Sequence, residues 1–184
     1  MPHSYQVQIC VIQPVPNTRQ PWAFQGGSGT SLTGNPVSVG HTFLILTETT
    51  PTKTITRNVG FYPENDIGPF TPTVQGQLNN DESDVYNIAL TIAMTGGEFT
   101  SLLNYISLGN STGFIYDLNS NNCTTFALSA LASVGINLPR TNGSWLNGGG
   151  QNPGDLGEDI RNMQVSSGMS KSGFKWHPNQ GTCN

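Results

Sequence analysis

Side chains alternate from Ser4 to Ile12, with Tyr5, Val7, Ile9 and Val11 on one side and Gln6, Gln8 and Cys10 on the other. That period of two predicts a half-buried strand. Val37 to Thr47 predicts a second strand, apolar on both faces beyond His41, as in the middle of a sheet. Lys53 to Tyr62 predicts a third, with Ile55, Val59 and Phe61 on one face and Thr54, Thr56 and Asn58 on the other. A tight hairpin about Pro51 would set His41 opposite residues 58–62. Asp84 to Thr91 predicts a fourth strand.

The period then changes. Thr95-Gly96-Gly97-Glu98 is a capping box ahead of Phe99, Leu102, Leu103 and Ile106, which predicts a helix to about Leu108. Phe114 to Leu118 leads into Asn121-Asn122-Cys123. Behind those two asparagines, good N-caps, Cys123, Phe126, Ala127, Ala130, Leu131 and Val134 recur at helical spacing until Gly135 and Pro139. A short helix follows from Pro153 to about Met163, and the tail from Gln164 adds an edge strand or packs on the surface. The Pro-, Gly- and Asn-rich stretches 14–36, 64–83 and 139–154 read as long loops, the first long enough to be a lid. Strands followed by helices, with a small antiparallel sheet packed against them, give an α+β class. A chain of 184 residues fits one domain, 1–184.

Composition narrows the function. Only 10% of residues are charged, where about 25% is usual; Asn, Thr, Ser, Gln and Gly carry the polarity, a surface suited to work outside the cytosol. The net charge is −4 with no Lys/Arg run, which argues against nucleic acid as a partner. No apolar run nears the roughly 18 residues of a membrane span. Met1-Pro2-His3-Ser4-Tyr5 holds neither the basic nor the apolar region of a signal peptide, so export without such a signal, or a trimmed leader, is expected. Three cysteines are too few for a disulfide scaffold. Cys10 and Cys183 could pair, since termini often meet, and leave Cys123 free; a lone buried thiol at Cys10 is the equal alternative.

Cys123 falls in the first turn of its helix, where unpaired N–H groups and the helix dipole favour an anion and hence a thiolate. Alone it reads equally as a small core residue. A thiolate nucleophile needs a base. His3 lies in a frayed terminus and His177 has no motif around it; His41 opens a buried strand after Gly40. Alone, His41 reads as a hydrogen-bonded core histidine. Together the two form the pair that Cys–His hydrolases use, with a third polar group orienting the ring. Strand parity nominates Asn58 for that role, against an ordinary strand asparagine. The Cys123 N–H with Asn122 or Asn121 could form an oxyanion hole, although both asparagines would cap the helix regardless. No metal or cofactor is expected: there is no Cys-x-x-Cys, no His-x-x-x-His and no calcium-loop spacing. Gly26-Gly27-Ser28-Gly29 lacks the lysine of a phosphate-binding loop and reads as flexible.

Three motifs carry a resemblance: Val39-Gly40-His41-Thr42-Phe43-Leu44, Gly60-Phe61-Tyr62-Pro63, and the run from Tyr116 through Asn121-Asn122-Cys123 to Ala127. Together they resemble the circularly permuted branch of the papain-like superfamily. That branch holds NlpC-type cell-wall hydrolases, lecithin–retinol acyltransferase-like proteins and permuted desumoylating isopeptidases, all with His before Cys. Gly135–Pro139 and Asn152–Leu156 resemble the segments beyond the catalytic helix in bacterial members, so the likeness spans about 37–163. It implies a permuted papain-like fold, Cys123 as nucleophile and His41 as base, and leaves the third position without an unambiguous match. It implies a cysteine hydrolase of amide bonds, with peptidoglycan peptides the favoured substrate. A cell-wall amidase or endopeptidase of this kind would be secreted or periplasmic, an antibacterial effector with an immunity protein as partner. The rivals are an acyltransferase or lipase, a protein isopeptidase, and a binding module without catalysis.

Overall fold

Ser4–Ile12 forms β1, and in the computed structural model, which describes residues 3–24, 37–176 and 178–182, strands flank it on both sides. The strands after it are β2 (Ala23–Phe24), β3 (Val37–Ser38), β4 (His41–Thr49), β5 (Thr54–Pro63), β6 (Thr73–Asn79), β7 (Val85–Met94) and β8 (Ile115–Asp117). The short β9 (Gly143–Trp145), β10 (Gly148–Gly150) and the longer β11 (Met169–Trp176) complete the set. Seven of these build one sheet in the order β11-β7-β1-β4-β5-β6-β8. The neighbouring pairs in it are antiparallel, so with its helices the chain is α+β.

The sheet buries one face under three helices: α1 (Gly96–Thr112), α2 (Cys123–Ala132) and α3 (Pro153–Asn162). Val7, Ile9, Val11, Leu44 and Leu46 from the strands meet Leu128, Leu131, Leu156 and Ile160 from the helices. The other face gathers Cys10, Phe43, Ile45, Tyr86 and Ala89. β4 supplies residues to both layers, which explains its unbroken apolar run: it is the middle strand. The capping box before α1 forms as expected, the Thr95 hydroxyl accepting from the Glu98 N–H and the Glu98 carboxylate from the Thr95 N–H.

Several expected loops contain strands. Within 64–83 the chain forms β6, whose Val74 and Leu78 pack beside Phe61, Tyr116 and Phe126. A central glycine and polar alternate positions hid its period of two. Residues 139–154 hold the β9–β10 hairpin, and β2 pairs with β3 inside the expected 14–36 loop and just beyond it. Residues 25–36, including Gly26–Gly29, lie outside the described residues. The second predicted strand breaks at Gly40, whose φ of +71° suits glycine, and a Cβ there would strike the Ile12 carbonyl. The tail forms an edge strand, β11 beside β7. Cys10 is a free, fully buried thiol, while Cys183 and His177 lie outside the described residues. No described helix is long and apolar enough to cross a membrane.

One connection is unusually short for the distance it covers. β6 and β7 are separated in the sheet by β5, β4 and β1, yet only residues 80–84 join them. That link has to pass the ends of the intervening strands, at the end where β4 begins.

Leu131 is fully buried under the sheet and Leu103, on α1, is 42% exposed. Leu131→Ala should therefore cost about 2–5 kcal/mol in urea unfolding, and Leu103→Ala about 0.5 kcal/mol or less.

Candidate active site

Antiparallel register fixes where His41 points. Phe43 pairs with Gly60 and Ile45 with Asn58, so His41, at the first position of β4, faces Tyr62, with ring centroids 4.3 Å apart. The helix side is fixed by a threonine pair: the Thr42 and Thr124 hydroxyls, both buried, share a hydrogen bond of 2.9 Å between β4 and the first turn of α2. Each threonine adjoins a predicted site residue in sequence, so this bond draws His41 and Cys123 together.

Cys123 is the first residue of α2 and is 5% exposed. Its thiol lies close enough to the His41 ring for each to shift the other's ionisation. The other side of that ring meets a residue from the β6–β7 connection: His41 Nε2 lies 3.3 Å from Asp81 Oδ2. With Nε2 facing Asp81, Nδ1 is the nitrogen left to the thiol. Asp81 is buried, and its second oxygen accepts the Tyr62 hydroxyl at 2.5 Å. His41, Asp81 and Tyr62 thus form a hydrogen-bonded line, with Cys123 beside its imidazole end.

The charges follow from this arrangement. Burial alone pushes the His41 pKa down, but the Asp81 carboxylate and the Cys123 thiolate outweigh it and hold the imidazole at about 10. Burial pushes the Cys123 thiol up. The His41 hydrogen bond and charge, the Thr42 N–H and the Thr124 hydroxyl more than compensate, so the thiol lies below its ordinary value. Burial, then Asp81, raises Tyr62 and keeps it a hydrogen-bond donor. Both shifts favour a thiolate–imidazolium pair backed by the Asp81 side chain.

Gly60 makes the backing possible. A Cβ built there would stand 2.5 Å from His41 Nε2 and collide with the Asp81 carboxylate. Only a residue without a side chain lets the two meet across β5.

The structure brings Cys123 and His41 together but not Asn58. Asn58 does share the face of His41, as its parity suggests, but it pairs with Ile45, four residues further along β4, or about 13 Å. Its Nδ2 and backbone N–H both donate to Asn179 Oδ1 at 2.9 Å. The polar group that meets the His41 ring is Asp81. Nothing in Asn79-Asn80-Asp81-Glu82-Ser83-Asp84 sets Asp81 apart from its acidic neighbours in sequence; only the path of the connection does. The side-chain amides of Asn122 and Asn121 hold backbone carbonyls. Asn122 Oδ1 caps the Thr124 and Thr125 N–H groups, and its Nδ2 donates to Leu118 and Gln151 carbonyls. The Asn121 side-chain amide donates to the Ile115 carbonyl. Tyr116, buried beside the same helix start, has its ionisation shifted by Cys123. Burial, then the neighbouring thiolate, raises Tyr116 and keeps it protonated.

Asp84 flanks the line, its pKa raised first by burial and then by Asp81. Among the described residues, donor atoms of His41, Asp81 and Asp84 lie within 4.8 Å of one another, a spacing a cation could use. The His41 and Asp81 atoms already face each other, which suits a hydrogen-bonded catalytic line better. His3 instead meets Glu48 at the surface, at 2.8 Å. No protein-family model, curated protein or solved structure matches the chain.

Two substitutions test the line. Asp81→Asn removes the charge that raises His41, so His41 titrates lower, the thiolate loses its counter-ion and the Cys123 titration midpoint moves up. Gly60→Ala forces Asp81 away and should act in the same direction. Alkylation of Cys123 by iodoacetamide across pH reads both; each variant should react about tenfold more slowly below the wild-type midpoint.

Proposed function

We propose that this chain is a thiol hydrolase of the permuted papain-like kind, cleaving an amide bond in the peptide part of peptidoglycan. The observation that carries the reading is the line from Cys123 through His41 to Asp81: a helix-start thiol beside a strand-start imidazole, itself backed by a buried carboxylate 3.3 Å away. The order of His before Cys, and the resemblance over 37–163, support the permuted branch. The sparsely charged surface supports work outside the cytosol.

In this mechanism the Cys123 thiolate attacks the amide carbonyl carbon and forms a tetrahedral oxyanion. The Cys123 N–H and the Tyr116 hydroxyl lie beside the sulfur and would stabilise that charge. The His41 imidazolium gives its proton to the departing amine nitrogen, the C–N bond breaks, and a thioester remains on Cys123. His41, now neutral, takes a proton from water as it attacks the thioester. Release of the carboxylic acid regenerates the thiolate and the imidazolium. Asp81 holds the ring in the tautomer and orientation that both steps need and stabilises its charged form. We further propose release as an antibacterial effector, with an immunity protein that covers this end of the sheet.

Digestion of purified peptidoglycan, read by chromatography of the soluble fragments, tests the substrate. Wild type should release new fragments bearing fresh amino and carboxyl ends, Cys123→Ala none, and His41→Ala about 10²- to 10⁴-fold less. No fragments from wild type, or equal release by Cys123→Ala, contradicts the proposal.

A further inference from the structure

Asp81 sits on a five-residue connection held, beside the Asp81 contacts with His41 and Tyr62, by bonds within itself: the Asp84 N–H donates to the Asp81 carbonyl at 3.0 Å, the Glu82 N–H to Asn80 Oδ1 at 3.1 Å and Asn80 Nδ2 to Glu82 Oε2 at 3.3 Å. A further hold comes from the far end of the sequence. β6 pairs with β5 only from Gly60 to Pro63, so the edge of β5 from Thr54 to Asn58 has no partner in β6. The C-terminal residues take that place. Gln180 and Thr56 exchange backbone hydrogen bonds at 2.8 and 3.1 Å, and the Arg57 guanidinium holds the Gln180 and Gly181 carbonyls, each at 3.0 Å. This anchors Asn179 beside Asn58, whose two N–H groups its Oδ1 accepts. From there Asn179 reaches the β6–β7 connection on both sides of Asp81. Its Nδ2 donates to Asn80 Oδ1 at 3.1 Å and Glu82 Oε2 at 3.3 Å, and its backbone N–H to Glu82 Oε1 at 3.1 Å.

We propose that Asn179 is a positioning residue: the C-terminal segment straps the β6–β7 connection to β5, and the grip of Asn179 on Asn80 and Glu82 sets where the Asp81 carboxylate meets His41. The proposal rests on reading Cys123–His41–Asp81 as a reactive line. It also gives Asn58 a role, one step removed from the imidazole: it orients the asparagine that orients the connection. The titratable groups facing the thiol and the imidazole are Asp81, Asp84, Tyr62 and Tyr116. The strap touches none of them directly and acts only through Asn80 and Glu82.

The test is a double-mutant cycle read by Cys123 alkylation across pH in the full chain, not by turnover. Asn179→Ala should raise the Cys123 titration midpoint by about one pH unit, roughly a tenfold loss of rate below it. In an Asp81→Asn background the same substitution should have little further effect, because the carboxylate it positions is gone. A residue that merely stabilises the fold would leave the midpoint unchanged in both backgrounds, or shift it equally in both. Glu82→Ala removes the same grip from the other side and should reproduce the shift, which covers the case in which Asn179→Ala does not fold. An activated wild-type thiol with unchanged midpoints in Asn179→Ala or Glu82→Ala overturns the strap alone. A wild-type thiol that titrates like free cysteine overturns the reactive line, and the strap with it.

Discussion

A thiol and an imidazole, both largely withheld from water, lie side by side at one end of the sheet, and their surroundings favour the charged form of that pair. Burial works against both partners, raising the thiol and lowering the imidazole. Each partner offsets the other's burial, and Asp81 adds to this from the far side of the ring. Tyr62, held protonated, gives the carboxylate a donor and leaves its charge intact. Around the sulfur, the Thr42 N–H and the Thr124 hydroxyl favour the anion, as does the N-terminal position in α2.

The fold supplies these contacts by register rather than by proximity in sequence. Thr42 and Thr124 join the middle strand to the helix it carries, and so bring their neighbours His41 and Cys123 together. Gly60, two residues from Tyr62 on β5, clears the space in which ring and carboxylate meet. The connection carrying Asp81 has to cross three strand ends in five residues, so its path leads past His41. Asn122 does structural work close by, capping α2 while tying it to the carbonyls of Leu118 and Gln151. The first turn that presents Cys123 is therefore held both within its own backbone and against its neighbours'.

What the sequence revealed, and what it hid, divides along the same line. Strands with strong alternation or unbroken apolar runs, such as β1 and β4, were legible, as were helices with caps and periodic faces. Cys123 and His41 could be singled out because each sits at the start of such an element. Asn58 was nominated by parity, which is local and correct, but the distance along β4 is set by the length of the hairpin. Asp81 lay in a stretch read as loop because the alternation of β6 is built from Val74, Gly76 and Leu78, with a glycine where a side chain would announce the pattern. Its role depends on strand order, a property of the whole sheet. Tyr116 stood in plain view at the head of the helix-start motif, but its hydroxyl acquires meaning only once β8 is placed beside α2.

The most direct test of the ion pair is the ultraviolet absorbance of the thiolate, titrated in wild type and corrected with Cys123→Ala to isolate this one sulfur. Cys123 should ionise well below the ordinary cysteine value of about 8.5, and His41→Ala should move the transition back up to that value or above. A wild-type transition at or above about 8.5, or one that His41→Ala leaves in place, would contradict the pair.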